Sequence, residues 1–252
     1  MSLPKPLIIG NWKMHGLSAE LETLVRALAK RHAETPKPGT LGICPPFTLL
    51  IPAKAVLQGS GILLGGQTCH AKGQGAFTGD ISAAMLADAG CEIVLLGHSE
   101  RRAGLGETDA DVKAKAEATL SAGLTPVVCI GETEDQYVAG ETLDVLGAQI
   151  DGSLPDGADA ERLVVAYEPI WAIGTGRTPT MDEIAKVHAF IGERLAAAGV
   201  SGTPVLYGGS VKPDNAAAIL ALDGVDGVLV GGASLKVDDF FTIYAAGAGT
   251  AA

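Results

Sequence analysis

Glu168 ends an apolar run, Leu163-Val164-Val165-Ala166-Tyr167, and is followed by Pro169, which removes a backbone donor and forces Glu168 into an extended conformation. The next residues are uncharged up to Gly174-Thr175-Gly176, whose glycines permit backbone angles that other residues resist. A carboxylate at a strand end followed by such a stretch has the form of a buried base under a closing flap. Two other stretches carry groups that complement a base. Gly10-Asn11-Trp12-Lys13 offers an amide and an ammonium, and Leu96-Gly97-His98-Ser99-Glu100 offers an imidazole. Gly208-Gly209-Ser210 and Gly231-Gly232 each follow a short apolar run, where backbone N–H groups can hold a phosphate. Taken singly, Glu168 is equally a cap or ion-pair partner, His98 a satisfied rim histidine, Lys13 a solvated lysine and each Gly-Gly a tight turn. Their chemistry depends on being brought to one place.

The elements that would do so alternate along the chain. Strand candidates at residues 7–12, 41–44, 62–67, 92–96, 125–130, 163–167, 204–207 and 227–230 are separated by helix-period segments. Ser18 is expected to cap a helix whose apolar face is Leu21, Leu24, Val25 and Leu28. Thr180 and Glu183 form a capping box before Ile184, Val187, His188, Ile191 and Leu195, with Gly199 as the stop. The last helix buries Val237, Phe240, Phe241 and Tyr244. Eight βα units without a linker predict an eight-stranded parallel β/α barrel, one domain over residues 1–252, whose strand C-termini form the functional rim. A doubly wound open sheet is the alternative, but nothing in it requires eight repeats.

Composition narrows the partners. A net charge of −11 argues against nucleic acid and membrane surfaces, which call for a basic face, so an anionic ligand must be held by local groups. No uncharged stretch is apolar enough to span a bilayer, and the N-terminus lacks a signal-peptide core, which predicts a cytoplasmic protein. Cys44, Cys69, Cys91 and Cys129 are widely spaced without a Cys-x-x-Cys, as expected of reduced thiols. Residues 68–80 form an unusually long βα loop, of the kind that serves function or an interface.

The motifs Asn11-Trp12-Lys13-Met14, Gly97-His98-Ser99-Glu100-Arg101-Arg102, Val128-Cys129-Ile130-Gly131-Glu132, Tyr167-Glu168-Pro169 to Gly176, Tyr207-Gly208-Gly209-Ser210-Val211 and Gly231-Gly232-Ala233-Ser234 closely resemble the triosephosphate isomerase family. They span nearly the whole chain in the family's order. The resemblance implies interconversion of dihydroxyacetone phosphate and D-glyceraldehyde 3-phosphate with no metal and no organic cofactor. It implies Glu168 as the base and His98 as the electrophile, assisted by Asn11 and Lys13. The phosphate would rest on amides of Gly174, Ser210, Gly231 and Gly232, with Glu100 and Cys129 in supporting positions. It also implies a homodimer through the loop carrying Phe77 and Thr78, with Thr78 reaching the partner's site near Lys13. His15, Leu105 and Arg177 depart from the commonest family pattern, where an asparagine, an aromatic residue and a lysine are more usual, and none of the three removes a catalytic group.

Two other readings fit less of the chain. A metal-dependent phosphosugar epimerase wants histidine and aspartate ligands at several strand ends, where only His98 stands, and an aldolase lysine usually lies on a later strand than Lys13. A silent phosphosugar-binding protein would need the glycine pairs and Lys13, but neither Glu168 nor His98.

Overall fold

The computed structural model describes residues 3–173 and 177–249. Eight parallel strands close on themselves in sequence order: β1 (Leu7–Asn11), β2 (Thr40–Cys44), β3 (Leu63–Gly66), β4 (Ile93–Leu96), β5 (Thr125–Ile130), β6 (Val164–Tyr167), β7 (Val205–Tyr207) and β8 (Gly227–Val230). β8 pairs back onto β1 with Leu7 opposite Gly227. The eight strand segments expected from sequence are all present: β1, β4, β6 and β7 are one residue shorter at one end, β3 is shorter at both, and β5 and β8 coincide. β2 instead starts one residue early, because the Thr40 N–H donates to the Pro6 carbonyl at 2.9 Å.

Ten α-helices lie among the described residues: α1 (Ser18–Glu34), α2 (Leu50–Leu57), α3 (Ala83–Asp88), α4 (Ser99–Leu105), α5 (Asp109–Ser121), α6 (Glu134–Val138), α7 (Thr142–Ser153), α8 (Met181–Ala197), α9 (Ala216–Leu220) and α10 (Val237–Ala246). Ser18 does not cap α1. Leu17 occupies the cap position, and the carboxylate of Glu20 takes the Leu17 N–H at 2.8 Å, so a residue inside the first turn satisfies the end. The Thr180–Glu183 capping box of α8 forms in both directions, at 2.7 and 3.2 Å, and Gly199 takes a left-handed φ of 81° just past the helix. The five residues expected on the inner face of α8 are all buried. In α10, Ile243 joins Phe240, Phe241 and Tyr244 in the core, while Val237 is only half-buried.

The core has two compartments because a strand buried on both faces sends alternate side chains to opposite sides. Leu7 and Ile9, Ile93 and Leu95, Val127 and Cys129, and Val164 and Ala166 fill the barrel lumen. Ile8, Val94, Val128 and Val165, one residue out of phase, pack outward in the shell with the helices. Small residues keep the lumen closed on the β2–β3 side: a side chain at Gly65 would place its Cβ 2.5 Å from Cys44 Sγ.

Candidate active site

Extending the lumen alternation one step beyond each strand gives the ring at the C-terminal mouth. On β1 the series Leu7, Ile9 continues to Asn11, on β3 Leu63, Gly65 continues to Gln67, and on β6 Val164, Ala166 continues to Glu168. β5, β7 and β8 continue to glycines, Gly131, Gly208 and Gly231. The polar ring and the gaps in it therefore follow from the same two-residue period that fills the lumen below. β2 continues to Pro46, and β4 departs from the period. Gly97 adopts a φ of 67°, which turns the chain so that His98, rather than the next residue in phase, joins the mouth and caps α4.

Glu168 is buried, with 2% of its surface exposed, so its charge must be compensated locally. Its Oε2 accepts the Ser99 N–H at 2.9 Å and its Oε1 lies 2.9 Å from His98 Nε2. The next amide, Glu100 N–H, donates to His98 Nδ1 at 3.2 Å. Two of the unsatisfied N–H groups at the start of α4 are thus spent on the carboxylate and the imidazole. The second of these contacts also settles the tautomer. Nδ1 accepts, so the neutral ring carries its proton on Nε2 and donates it toward Glu168. Burial pushes the His98 pKa down, and the Glu168 carboxylate opposes this strongly enough that the net direction is upward while the two touch. When the carboxylate moves to a ligand, burial, the largest influence on the ring, still favours a neutral imidazole that can donate from Nε2, with the Glu100 carboxylate opposing it and the Lys13 cation adding to it.

Lys13 has a φ of 52°, the one positive value of a non-glycine residue among those described, a conformation that costs on the order of 1–3 kcal/mol unless its surroundings impose it. Its N–H donates to Asn11 Oδ1 at 3.0 Å and its Nζ donates to Glu100 Oε1 at 2.6 Å. The Oδ1 end of Asn11 is thereby engaged, which leaves the NH₂ group as the donor for a ligand. Asn11, Lys13, His98 and Glu168 all line one cavity of about 760 Å³, together with Ser210, Gly231 and Gly232. The cavity meets the needs of a small phosphorylated substrate: a carboxylate base, an N–H electrophile beside it, a cation, and the start of a 3-10 turn at Gly232–Leu235 whose first amides are free of side chains. Among the described residues no group of three or more His, Cys, Asp and Glu side chains is arranged to hold a metal ion.

Residues 6–247 match the family model described as triosephosphate isomerase. The chain belongs to the triosephosphate isomerase family. It is 56% identical over 242 residues to a curated triosephosphate isomerase of Afipia carboxidovorans, covering 95% of this chain and 96% of that one. A second, from a Ruegeria species, is 54% identical over 250 residues, 97% and 98% of the two chains. The crystal structure of triosephosphate isomerase from Bartonella henselae superposes with a TM-score of 0.89 at 46% identity, covering 96% of this chain and 98% of that one.

The glycine pairs that carry part of the family resemblance have divided duties. A Cβ at Gly208 would stand 2.9 Å from Glu168 Cγ, one at Gly209 would stand 2.2 Å from the Tyr207 hydroxyl, and one at Gly131 would stand 1.9 Å from the Glu168 carbonyl oxygen. These three glycines make room for Glu168 and its neighbours. At Gly231 a Cβ would be in ordinary contact with Lys13 Cε at 3.7 Å, and at Gly232 it would meet nothing within 4 Å. Of the two pairs, only the one after β8 is free of close neighbours.

Beside the mouth, Trp171 sits in a 3-10 turn, Ile170–Ala172, and donates its indole N–H to Glu132 Oε1 at 2.8 Å; the Tyr167 hydroxyl donates to the same oxygen at 3.1 Å. The Trp171 ring stacks on Tyr137 with centroids 4.2 Å apart, and the Arg177 guanidinium lies 5.3 Å from the Trp171 ring centroid while pairing with Glu134. Burial raises the Glu132 pKa against these donors. Gly174, with Thr175 and Gly176, lies outside the described residues. Cys129 fills the lumen below Glu168, where burial and then the Glu168 charge hold it as a neutral thiol. Phe77 packs its ring on His70 at 4.0 Å, and Thr78 is exposed on the same loop. Leu105 is exposed at the end of α4, and His15 lines the cavity mouth.

Several groups at the site were not picked out from sequence. Gln67, the residue after β3, is a polar strand end of the same kind as Asn11 and Glu168, and that signal could have found it. Arg102 lies four residues after His98 on α4. It donates to the Gly97 carbonyl at 2.8 Å, the Cys129 carbonyl at 3.2 Å and Ser153 Oγ at 3.0 Å; the resemblance includes it in a motif but gives it no role.

Proposed function

We propose that Glu168 and His98 carry the proton transfers by which this chain, a triosephosphate isomerase by family, interconverts dihydroxyacetone phosphate and D-glyceraldehyde 3-phosphate. Glu168 takes a proton from the carbon beside the substrate carbonyl, and the electron pair moves onto the carbonyl oxygen. The Nε2–H of His98 donates to that oxygen, with the Asn11 amide and the Lys13 ammonium adding to a field aimed at the charge as it develops. The proton on Glu168 then returns to the neighbouring carbon, while His98 gives its Nε2 proton to the former carbonyl oxygen and takes the proton of the adjacent hydroxyl, whose oxygen becomes the new carbonyl; the isomerisation is complete with no net gain or loss of atoms or electrons. Lys13 and the amides of Ser210, Gly231, Gly232 and Gly174 hold the phosphate, and the segment from Pro169 to Gly176 closes over the intermediate and keeps water from it. No metal or cofactor takes part. Glu168 must leave Ser99 and His98 to reach the substrate, and its place on the cavity wall supports that movement.

The observation that carries this reading is the 2.9 Å contact between a buried carboxylate and an imidazole Nε2, at a cavity that also holds Lys13 and Asn11. A pure phosphosugar binder has no use for that pair. Glyceraldehyde 3-phosphate should turn over with and without chelator, and Glu168→Gln should keep inhibition by inorganic phosphate while losing about 10²–10⁴-fold in kcat, the range of general base catalysis. Chelator-sensitive activity, or normal turnover in the variant, would sink the reading.

The same proposal covers assembly and location. Residues 1–252 act as one barrel domain in the cytoplasm, and two copies pair through the loop bearing Phe77 and Thr78. The exposed side chains of Met14, next to Lys13, and Met85, just after that loop, support an apolar interface. Among the described residues no helix is long and apolar enough to cross a membrane. Sedimentation velocity on the purified chain should give a dimer; a monomer at micromolar concentration would remove this part.

A further inference from the structure

We propose that Gln149 is a positioning residue for the base: its side-chain amide stands in for the strand partner that β5 loses at the mouth, and so fixes the backbone against which Glu168 rests. This depends on the reading of Glu168 as the base given above. The need for a partner follows from the register. β4 pairs with β5 only as far as Leu96 opposite Val128, whereas β5 runs on to Ile130. In a parallel strand the peptide groups of alternate residues face opposite neighbours. The Ile130 and Glu132 carbonyls face β6, where they accept the Glu168 and Ile170 N–H groups at 2.7 and 3.1 Å. Cys129 and Gly131 therefore face the side that β4 has left, because the turn at Gly97 carries the chain away to bring His98 into the mouth. Side chains take over that edge. Arg102 donates to the Cys129 carbonyl at 3.2 Å. Gln149, on α7, serves both groups of Gly131: its Oε1 accepts the Gly131 N–H at 2.7 Å and its Nε2 donates to the Gly131 carbonyl at 3.0 Å.

The residue type suits the task. A primary amide presents an acceptor and a donor in one plane, as a backbone peptide does, so it adds one more rung to the ladder where the strand has gone. Without it the N–H and C=O of Gly131 would both lose their partners. Gly131 is also the residue that lies against the base: a Cβ there would stand 1.9 Å from the Glu168 carbonyl oxygen, so the two backbones are in close contact. A shift of the Gly131 peptide would pass directly to Glu168, and through the Glu132–Ile170 hydrogen bond to the turn that carries Trp171. Gln149 does not itself line the cavity. Its influence is therefore on the placing of the carboxylate, and through that on proton transfer, while the phosphate is held elsewhere.

The test is a double-mutant cycle in turnover, using Gln149→Leu, Glu168→Gln and the pair, with inhibition by inorganic phosphate measured on each protein. Gln149→Leu should lower kcat about tenfold, as expected of a small misplacement of a reacting group, and leave the phosphate constant within about twofold of wild type. In the Glu168→Gln background the same change should alter kcat by less than about twofold, because the base it positions is gone. Equal falls in both backgrounds would overturn the proposal, as would a Gln149→Leu enzyme with wild-type kcat and only a lower Tm, the signature of a merely structural role. Full turnover in Glu168→Gln alone would instead remove the base assignment, an outcome separate from failure of the Gln149 contact. Gln149→Glu gives a second readout, which also serves if Gln149→Leu does not fold. A protonated carboxyl offers Gly131 one donor and one acceptor, as the amide does, whereas the ionised form sets a negative charge against the Gly131 carbonyl oxygen. The kcat of Gln149→Glu relative to wild type should therefore rise about threefold or more as the pH falls from about 8 to about 5. A ratio that stays flat or falls across that range would overturn the proposal.

Discussion

The mouth of the barrel has two unlike halves. Around β1, β3 and β4 the functional groups are side chains, each held by a named hydrogen bond: Asn11 and Lys13 to one another, Lys13 to Glu100, His98 to the amide of Glu100. Around β5, β7 and β8 the ring is glycine, and what matters there is space, most of it taken by Glu168 and the Tyr207 hydroxyl. Glu168 stands between the halves, bonded to the first and accommodated by the second. The lesson is that the base is served by two different devices, donors that define its resting place and missing side chains that make room for it there.

That contrast can be broken from either side. On the bonded half, His98→Gln keeps a donor but misplaces it and loses the caging of α4; kcat should fall about 10²–10³-fold, the cost of removing one preorganised donor to a developing oxyanion, with phosphate inhibition retained. A smaller drop than tenfold would mean that Asn11 and Lys13 suffice as donors. Behind the packed half, His188 lies buried against Tyr167 and Tyr207, and burial lowers its pKa from 6.5 to about 4. Below pH 6.5 the unfolded chain takes up a proton that the folded chain refuses until about pH 4, so stability falls as the pH drops across that window, by about 3 kcal/mol in all. Urea unfolding of wild type and His188→Gln at pH 7 and pH 4.5 should show the smaller loss in the variant. A parallel pH dependence in both proteins would remove His188 as the cause.

The glycines give the smaller effects and the finer comparison. Gly208→Ala should cost about 1–3 kcal/mol of overpacking against Glu168, visible as a fall in kcat greater than the fall in Tm explains. Gly232→Ala, with nothing within 4 Å, should change stability by less than about 0.5 kcal/mol. Equal effects of the two alanines on kcat would erase the distinction between a glycine that makes room for the base and one that faces an open cavity.

Much of this was legible in the sequence. Alternation of apolar runs with helix-period segments fixes the order of the barrel, and the polar residue at the end of a strand marks Asn11, His98 and Glu168, because strand ends at the mouth are where a parallel sheet stops burying its residues. Cap geometry was less legible: Thr180 and Glu183 follow the rule, but at α1 a first-turn glutamate replaced the expected serine. The roles of Gly131, Gly208 and Gly209 were hidden for a different reason. A Gly-Gly pair reads the same whether the absent side chain admits a ligand or a neighbouring residue, and only the position of Glu168 decides. Gln67 reaches the carbonyls of Lys13 and Cys44, and Arg102 reaches the Cys129 carbonyl and Ser153 Oγ, all distant in sequence, so no spacing rule reveals those contacts.

The most direct test is isotope exchange at the carbon that loses its proton. Dihydroxyacetone phosphate incubated in D₂O with the wild-type chain should gain carbon-bound deuterium as it is isomerised, and Glu168→Gln should slow that gain by about 10²–10⁴-fold while still binding inorganic phosphate. Deuterium entering at the wild-type rate in Glu168→Gln would show that another group removes the proton, and would contradict the account at its centre.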